Sequence, residues 1–127
     1  MSKPRVFVLA DDLIWQTRLV GTLEAIGAGA TGAGGGAEFE DALAGVDAVV
    51  VDLTARSYDP IRAIEQAAAA GRHVLAVGQH DDAALRKRAL AAGAERVYAY
   101  RKMFEDGPAT LVAWLGAEAL GIQKRYG

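Results

Sequence analysis

The most constraining feature of this sequence is the short stretch Asp47–Leu53. Three consecutive valines lie in it between Asp47 and Asp52. The run is too short for a helix and too continuously apolar for a strand with one face in water. It is typical of a central strand in a parallel sheet that is covered on both faces. The sequence therefore predicts an α/β fold with Asp52 at the carboxyl end of a buried strand, where open α/β sheets place their ligands.

Strands and helices are predicted to alternate on both sides of this run. We expect further strands at 5–10, 28–33, 73–77 and 95–99, and helices at 12–26, 37–44, 60–70, from the Asp81-Asp82 cap to 92, and from Pro108 onward. The strand at 28–33 is a poor strand former and is assigned to an edge, and 100–107 is expected to be a connection. Right-handed crossovers turn such a chain into a parallel sheet with helices on both faces. We therefore predict one flavodoxin-like (βα)5 domain over residues 1–127, with strand order 2-1-3-4-5.

Composition excludes several classes of function. A net charge of −2 provides no field that would gather nucleic acid or anionic lipid. The absence of cysteine excludes disulfides and thiolate chemistry. No signal peptide is recognisable, and no apolar run approaches the ~20 residues of a membrane span. We expect a cytoplasmic domain that contacts neither nucleic acid nor membrane.

Three carboxylates are predicted to meet at one edge of the sheet. Asp11 and Asp12 follow the first strand, and Asp52 ends the third, which is its neighbour in the expected order. Clustered carboxylates repel one another, and Mg²⁺, which prefers oxygen ligands, would resolve the conflict. Asp52 could then act as a nucleophile toward a phosphoryl donor. The alternative is that Asp11 and Asp12 only cap the first helix and Asp52 only begins a loop.

The same residues carry a resemblance to a known family. A strand ending in Asp11-Asp12, a strand ending in Asp52 and Gly93-Ala94 before the last strand resemble the receiver domain of response regulators in bacterial two-component signalling. The resemblance extends to about residue 122. It implies that Asp52 accepts phosphate from a histidine kinase and that Asp11, Asp12 and Asp52 hold Mg²⁺, with no other cofactor.

The sequence also departs from the receiver pattern. Gly78 replaces the usual Thr or Ser at the end of strand four, Tyr100 replaces the lysine at the end of strand five, and Thr54-Ala55 replaces Met-Pro. Arg101 and Lys102 are candidate substitutes for the lysine, but a shift of one residue on a strand turns a side chain to the other face. Because the hydroxyl and the ammonium group convert phosphorylation into a conformational change, the resemblance implies a pseudo-receiver that keeps the fold and works by binding.

Four residues are candidates for contact with a partner. Ile14 and Trp15 lie off the apolar stripe of the first helix, beside the acidic edge, and Tyr98 and Tyr100 alternate on the last strand. Aromatic residues are enriched at protein interfaces. The resemblance adds that helix four, strand five and helix five form the partner surface of receivers. We expect a complex with another protein, or a homodimer through those elements.

The sequence is therefore interpreted as a stand-alone, non-enzymatic signalling domain that lacks the standard phosphorylation switch. One alternative is a working receiver that uses Asp52 and Mg²⁺. This alternative requires that the side chain of Arg101 or Lys102 reach Asp52. Another is a flavodoxin-like domain that binds a small ligand at the same edge. No glycine-rich phosphate loop follows strand one or three, which counts against a nucleotide as that ligand.

Overall fold

The computed structural model describes residues 3–122. It contains five parallel strands, β1 (Arg5–Leu9), β2 (Gly29–Ala33), β3 (Ala48–Asp52), β4 (His73–Gly78) and β5 (Arg96–Ala99). The helices are α1 (Leu13–Ala25), α2 (Gly36–Ala42), α3 (Pro60–Ala69), α4 (Ala83–Ala92) and α5 (Tyr100–Leu115), with a short 3-10 turn at Leu43–Gly45. The sheet order is β2-β1-β3-β4-β5, which confirms the predicted flavodoxin-like arrangement.

The predicted central strand is the centre of the sheet. Every residue of β3 is buried, and β3 pairs with β1 on one side and β4 on the other. Side chains alternate across a strand, so Val49 and Val51 pack into one core layer and Val50 into the other. Burial on both faces explains why the run is continuously apolar, and it fixes Asp52 at the carboxyl edge.

The weak edge strand is also confirmed. β2 contains no large side chain, yet it pairs with β1 over its whole length. A Cβ atom at Gly32 would lie 2.7 Å from Cγ of Gln16, so glycine permits the close packing of α1 on this edge. Gln16 in turn donates a hydrogen bond of 2.7 Å to the carbonyl of Ala10, which holds α1 against the end of β1.

Aspartates begin three of the helices, as their positions in the sequence predict. Asp12, Asp59 and Asp82 each accept a hydrogen bond from a backbone N–H in the first turn of α1, α3 and α4. Within residues 3–122, no helix combines the length and the apolar character needed to cross a bilayer.

The start of the last helix was predicted wrongly. α5 begins at Tyr100 rather than at Pro108, and the expected connection at 100–107 is helical. The backbone leaves helical geometry at Asp106 (φ −141°, ψ 29°), just before Pro108, whose ring and missing N–H do not fit a continuous helix. The helix ends at Leu115, and Ile122 lies beyond its end and is exposed.

Candidate functional site

Asp52 is a buried carboxylate, one oxygen of which accepts three hydrogen bonds. Its side chain is 3% exposed. Its Oδ1 atom accepts hydrogen bonds from the backbone N and the hydroxyl of Thr54, both at 3.0 Å, and from the hydroxyl of Tyr100. The Tyr100 and Thr54 hydroxyls also contact each other. These donors offset part of the cost of burying the charge.

Tyr100 is held in place by the chain and by packing. It follows β5 directly and opens α5, and its ring lies edge-on to the indole of Trp15, with centroids 5.3 Å apart and planes at 80°. Burial, together with the hydrogen bond to Asp52, raises the pKa of the Tyr100 hydroxyl. A neutral hydroxyl therefore faces Asp52 at physiological pH, at the position where the receiver resemblance places a lysine.

Asp11 fastens a loop rather than facing Asp52. Its Oδ2 atom accepts hydrogen bonds from the backbone N of Arg56 at 2.7 Å, and from the backbone N and hydroxyl of Ser57 at 3.0 and 3.1 Å. The Arg56 bond, followed by those of Ser57, outweighs the effect of burial and lowers the pKa of Asp11. Asp11 thus ties the loop between β3 and α3 to the end of β1.

The three predicted metal ligands line one cavity but have separate hydrogen-bond partners. Asp12 is exposed and accepts a hydrogen bond of 3.1 Å from the backbone N of Trp15, so it acts as the helix cap that the alternative interpretation expected. Asp11 and Asp52 have the separate partners given above. Across residues 3–122, no group of three acidic, histidine or cysteine side chains is placed to hold a metal ion. Mg²⁺ binding by Asp11, Asp12 and Asp52 stays a prediction.

Arg101 and Lys102 are directed away from Asp52. Both lie in the first turn of α5, where each successive residue rotates by about 100° around the helix axis. Arg101 pairs with Glu105 (Nε–Oε1 2.8 Å) and Lys102 with Asp106 (Nζ–Oδ2 3.1 Å), on the exposed surface. Because the helix starts at Tyr100, neither residue contacts Asp52, and neither takes the place of the missing lysine.

A side chain at residue 78 would press against Leu53, which would have to shift by a few tenths of an ångström. Gly78 is the last residue of β4 and is buried. A Cβ atom built at Gly78 would lie 3.1 Å from Cδ1 and 3.3 Å from Cβ of Leu53, the residue after Asp52. Leu53 thus fills the space beside the strand end where receivers carry Thr or Ser.

Tyr58 is a site residue that the sequence analysis missed. Its buried hydroxyl lies 2.8 Å from the carbonyl oxygen of Leu9 and 2.7 Å from that of Asp52, so it bridges the ends of β1 and β3. Burial, with the charge of Asp52 nearby, raises its pKa. The sequence feature that could have indicated Tyr58 is its position as an aromatic residue in the short loop between the end of β3 and the helix cap Asp59.

A cavity of about 550 Å³ opens above Asp52 and Tyr100. Ile14, Trp15 and Phe104 form its apolar walls, and Arg18, Arg56 and the three aspartates of the acidic edge also line it. The guanidinium carbon of Arg18 lies 3.9 Å from the centroid of the Phe104 ring. The sequence analysis missed Arg18 and Phe104, the latter because it was assigned to a connection.

The four predicted contact residues separate into two places. Ile14 is 84% exposed, and Trp15 is half-buried against Tyr100, which confirms an apolar pair beside the acidic edge. Tyr98 is half-buried in the core layer on the α1 and α5 side, and its hydroxyl accepts a hydrogen bond of 3.2 Å from Arg96. Tyr98 does not line the cavity.

The fold and the acidic edge define a receiver-like α/β domain, and comparison with solved structures agrees. The response regulator receiver protein from Burkholderia phymatum is 26% identical, with a TM-score of 0.75, and the match covers 98% of this chain and 100% of that one. The signal receiver domain from Bermanella marisrubri is 16% identical, with a TM-score of 0.79, over 91% and 100% of the two chains. A Burkholderia pseudomallei response regulator with a phosphorylated aspartic acid, a calcium ion and citrate is 19% identical, with a TM-score of 0.76, over 92% and 69%.

This chain therefore has the fold of response-regulator receiver domains, which confirms the resemblance seen in the sequence. No protein-family model matches the sequence, and no curated protein is significantly similar to it. The similarity is one of fold. Around Asp52, Tyr100 and Gly78 differ from the residues that the receiver resemblance places there.

Proposed function

We propose that this protein is a cytoplasmic, receiver-like signalling module that acts through protein contacts and lacks the standard phosphorylation switch. The observation that carries the proposal is the hydrogen bond from the Tyr100 hydroxyl to the Asp52 carboxylate. It places a neutral donor where the receiver resemblance expects a cation.

Arg18 and Arg56 line the cavity above Asp52, but within residues 3–122 no cation stands where the receiver resemblance places the phosphoryl-binding lysine. A phosphoryl group on Asp52 would add about two negative charges. The charges of Arg101 and Lys102 are engaged by Glu105 and Asp106 on the helix surface. Because the neutral hydroxyl of Tyr100 stands where the lysine is expected, we expect Asp52 to be a poor phosphoacceptor.

The structure around Gly78 disfavours a switch even if Asp52 were modified. A ligand or modification shifts a conformational equilibrium only through contacts that differ between the two states. Gly78 offers no hydroxyl to follow a phosphoryl oxygen, and Leu53 occupies the adjacent space. A phosphoryl group would therefore find no side chain at residue 78 through which to move β4.

Exposed apolar residues support a role in binding. Leu13, Ile14 and Phe104 are 70%, 84% and 61% exposed, and all three lie at the start of α1 or in the first half of α5. Apolar groups that remain in water beside a cavity are common at sites that a partner covers. We infer that this edge contacts another protein, while a homodimer through α4, β5 and α5 remains the second arrangement.

A phosphorylatable receiver is the second candidate function. Its support is the position of Asp52 at the end of β3, in a fold shared with a Burkholderia pseudomallei protein that carries a phosphorylated aspartic acid and a calcium ion. In that case Mg²⁺ would be held through Oδ1 of Asp11 and Oδ2 of Asp12 and Asp52, because the hydrogen bonds given above go to the other oxygen of each carboxylate.

Intact-mass measurement separates the two candidates. The protein is incubated with Mg²⁺ and acetyl phosphate beside its Asp52→Asn variant, and a receiver with the usual lysine serves as a positive control for the reagent. We expect no mass increase that depends on Asp52. Stoichiometric phosphorylation of the natural chain that disappears in Asp52→Asn would show a working receiver and overturn the proposal.

A further inference from the structure

We propose that the cavity above Tyr100 is a binding site for a small, planar aromatic molecule that carries one carboxylate. The cavity of about 550 Å³ lies within the range of roughly 300–1,000 Å³ that is usual for ligand pockets. Such pockets combine apolar walls with a few fixed polar groups, and this cavity has both.

The walls favour an aromatic ring. Trp15 and Tyr100 are already packed edge-on to each other, and Phe104 and Ile14 lie on the same cavity with most of their side chains in water. A planar ring placed among them would remove apolar surface from water and add aromatic contacts. The half-buried Trp15 and Tyr100 give this part of the cavity a defined shape before a ligand arrives.

Two guanidinium groups favour an acidic substituent. Arg18 and Arg56 line the cavity, and in the part of the chain that the structure describes neither forms an ion pair with an acidic side chain. Arg18 is held over the Phe104 ring, which limits its freedom before a ligand binds. The planar fork of a guanidinium group binds a carboxylate through two parallel hydrogen bonds.

Asp11, Asp12 and Asp52 also line the cavity, and they determine where the acidic group would lie. Asp52 is buried beneath Tyr100 and Thr54, and Asp11 accepts three hydrogen bonds from the loop after β3. An anionic group would therefore bind the guanidinium groups of Arg18 and Arg56 rather than approach these carboxylates, with the ring directed toward Trp15.

Matched probes of one shape test the proposal. The full chain is titrated with 2-naphthoate, 2-naphthylmethanol and 2-naphthylmethylamine by calorimetry and by amide NMR. We expect naphthoate to bind at one saturable site, about tenfold or more tighter than the neutral alcohol, with shifts centred on Ile14, Trp15 and Phe104. Absence of saturable binding, or equal affinity for the three probes, would overturn the proposal.

Surface variants locate the site. Arg18→Gln and Arg56→Gln should each weaken naphthoate binding about tenfold, the equivalent of about 1.4 kcal/mol. Arg88→Gln, on the exposed surface of α4 and outside the cavity, is the control and should bind as the natural chain does. Equal binding by all three variants would contradict the site. Because these measurements do not involve phosphate, failure here would leave the proposal about Asp52 phosphorylation intact, and the reverse also holds.

Discussion

The hydroxyl of Tyr100 donates a hydrogen bond to the buried carboxylate of Asp52. This contact joins the first residue of α5 to the last residue of β3, and it brings α5 to the edge where the acidic residues lie. A neutral donor satisfies the carboxylate without a cation. The contact therefore has a structural role that does not depend on phosphorylation, and that role can be measured.

Removing the Tyr100 hydroxyl should destabilise the protein. Tyr100→Phe takes one donor from a buried carboxylate, so we expect the free energy of unfolding to fall by about 1.5–3 kcal/mol. Tyr98→Phe is the matched control, because the Tyr98 hydroxyl accepts only a bond of 3.2 Å from Arg96, and its loss should cost less than about 1 kcal/mol. Urea unfolding measures both, and equal losses in the two variants would contradict the assigned role.

Asp11 should stabilise the fold in a pH-dependent way. Hydrogen bonds from Arg56 and Ser57 lower its pKa in the folded state below the ordinary value of 3.8. The contribution of Asp11 to the free energy of unfolding is therefore present above about pH 4. It is lost as the pH falls through the lowered pKa of Asp11 in the folded state. Asp11→Asn should lower the free energy of unfolding at pH 7 by about 1 kcal/mol, and the difference from the natural chain should narrow in acid.

Asp12→Asn is the control for that measurement. Asparagine caps a helix about as well as aspartate, so this variant should unfold at nearly the same denaturant concentration as the natural chain. If the free energy of unfolding of Asp11→Asn differed from that of the natural chain by the same amount at pH 7 and at pH 3, the charge of Asp11 would not be the cause of the stabilisation.

Leu53 and Gly78 should be energetically coupled. A threonine at Gly78 would press against Leu53, so Gly78→Thr is expected to cost about 1–3 kcal/mol through overpacking. Leu53→Ala alone creates a cavity and should cost about 2–5 kcal/mol. The double variant should cost clearly less than the sum of the two, because each change relieves the other. Additive costs in a double-mutant cycle would mean that Leu53 is not what closes this space.

Ile14 should be unnecessary for folding. Its side chain is 84% exposed, so Ile14→Ser should change the free energy of unfolding by no more than about 0.5 kcal/mol. Leu23→Ala, in the same helix but fully buried, should lose about 2–5 kcal/mol. A large loss for Ile14→Ser in thermal or denaturant unfolding would mean that Ile14 is a packing residue rather than a residue kept for contact.

The order of the sheet could be predicted because it depends on patterns that repeat along the chain. Continuous burial of β3 requires an apolar run such as Asp47–Leu53, and aspartates before α1, α3 and α4 mark helix starts. The start of α5 could not be placed, because Pro108 carries the signal of a first helical residue. The buried residues Met103, Gly107 and Leu111, spaced by four, were the competing helical signal.

The site could be predicted only to the level of the sheet edge. Topology alone brings Asp11 and Asp52 to neighbouring strand ends, and the sequence analysis anticipated this. The hydrogen-bond partner of each carboxylate depends on loop conformation. Asp11 binds backbone N–H groups of Arg56 and Ser57, and a contact to the backbone cannot be predicted from residue types. The contact of Tyr100 with Asp52 likewise depends on where α5 begins.

The most direct measurement is an amide NMR titration of the natural chain with Mg²⁺ and then with beryllofluoride, a mimic of the phosphoryl group. If Tyr100 and Thr54 already satisfy Asp52 and no metal site is formed, the amide signals of Thr54, Gly78 and Tyr100 should stay within a small fraction of their linewidths. Large, saturable shifts at Gly78 and Tyr100 that disappear in Asp52→Asn would show that the edge binds metal and phosphoryl mimic as a working receiver does, and would contradict the proposal that the switch is absent.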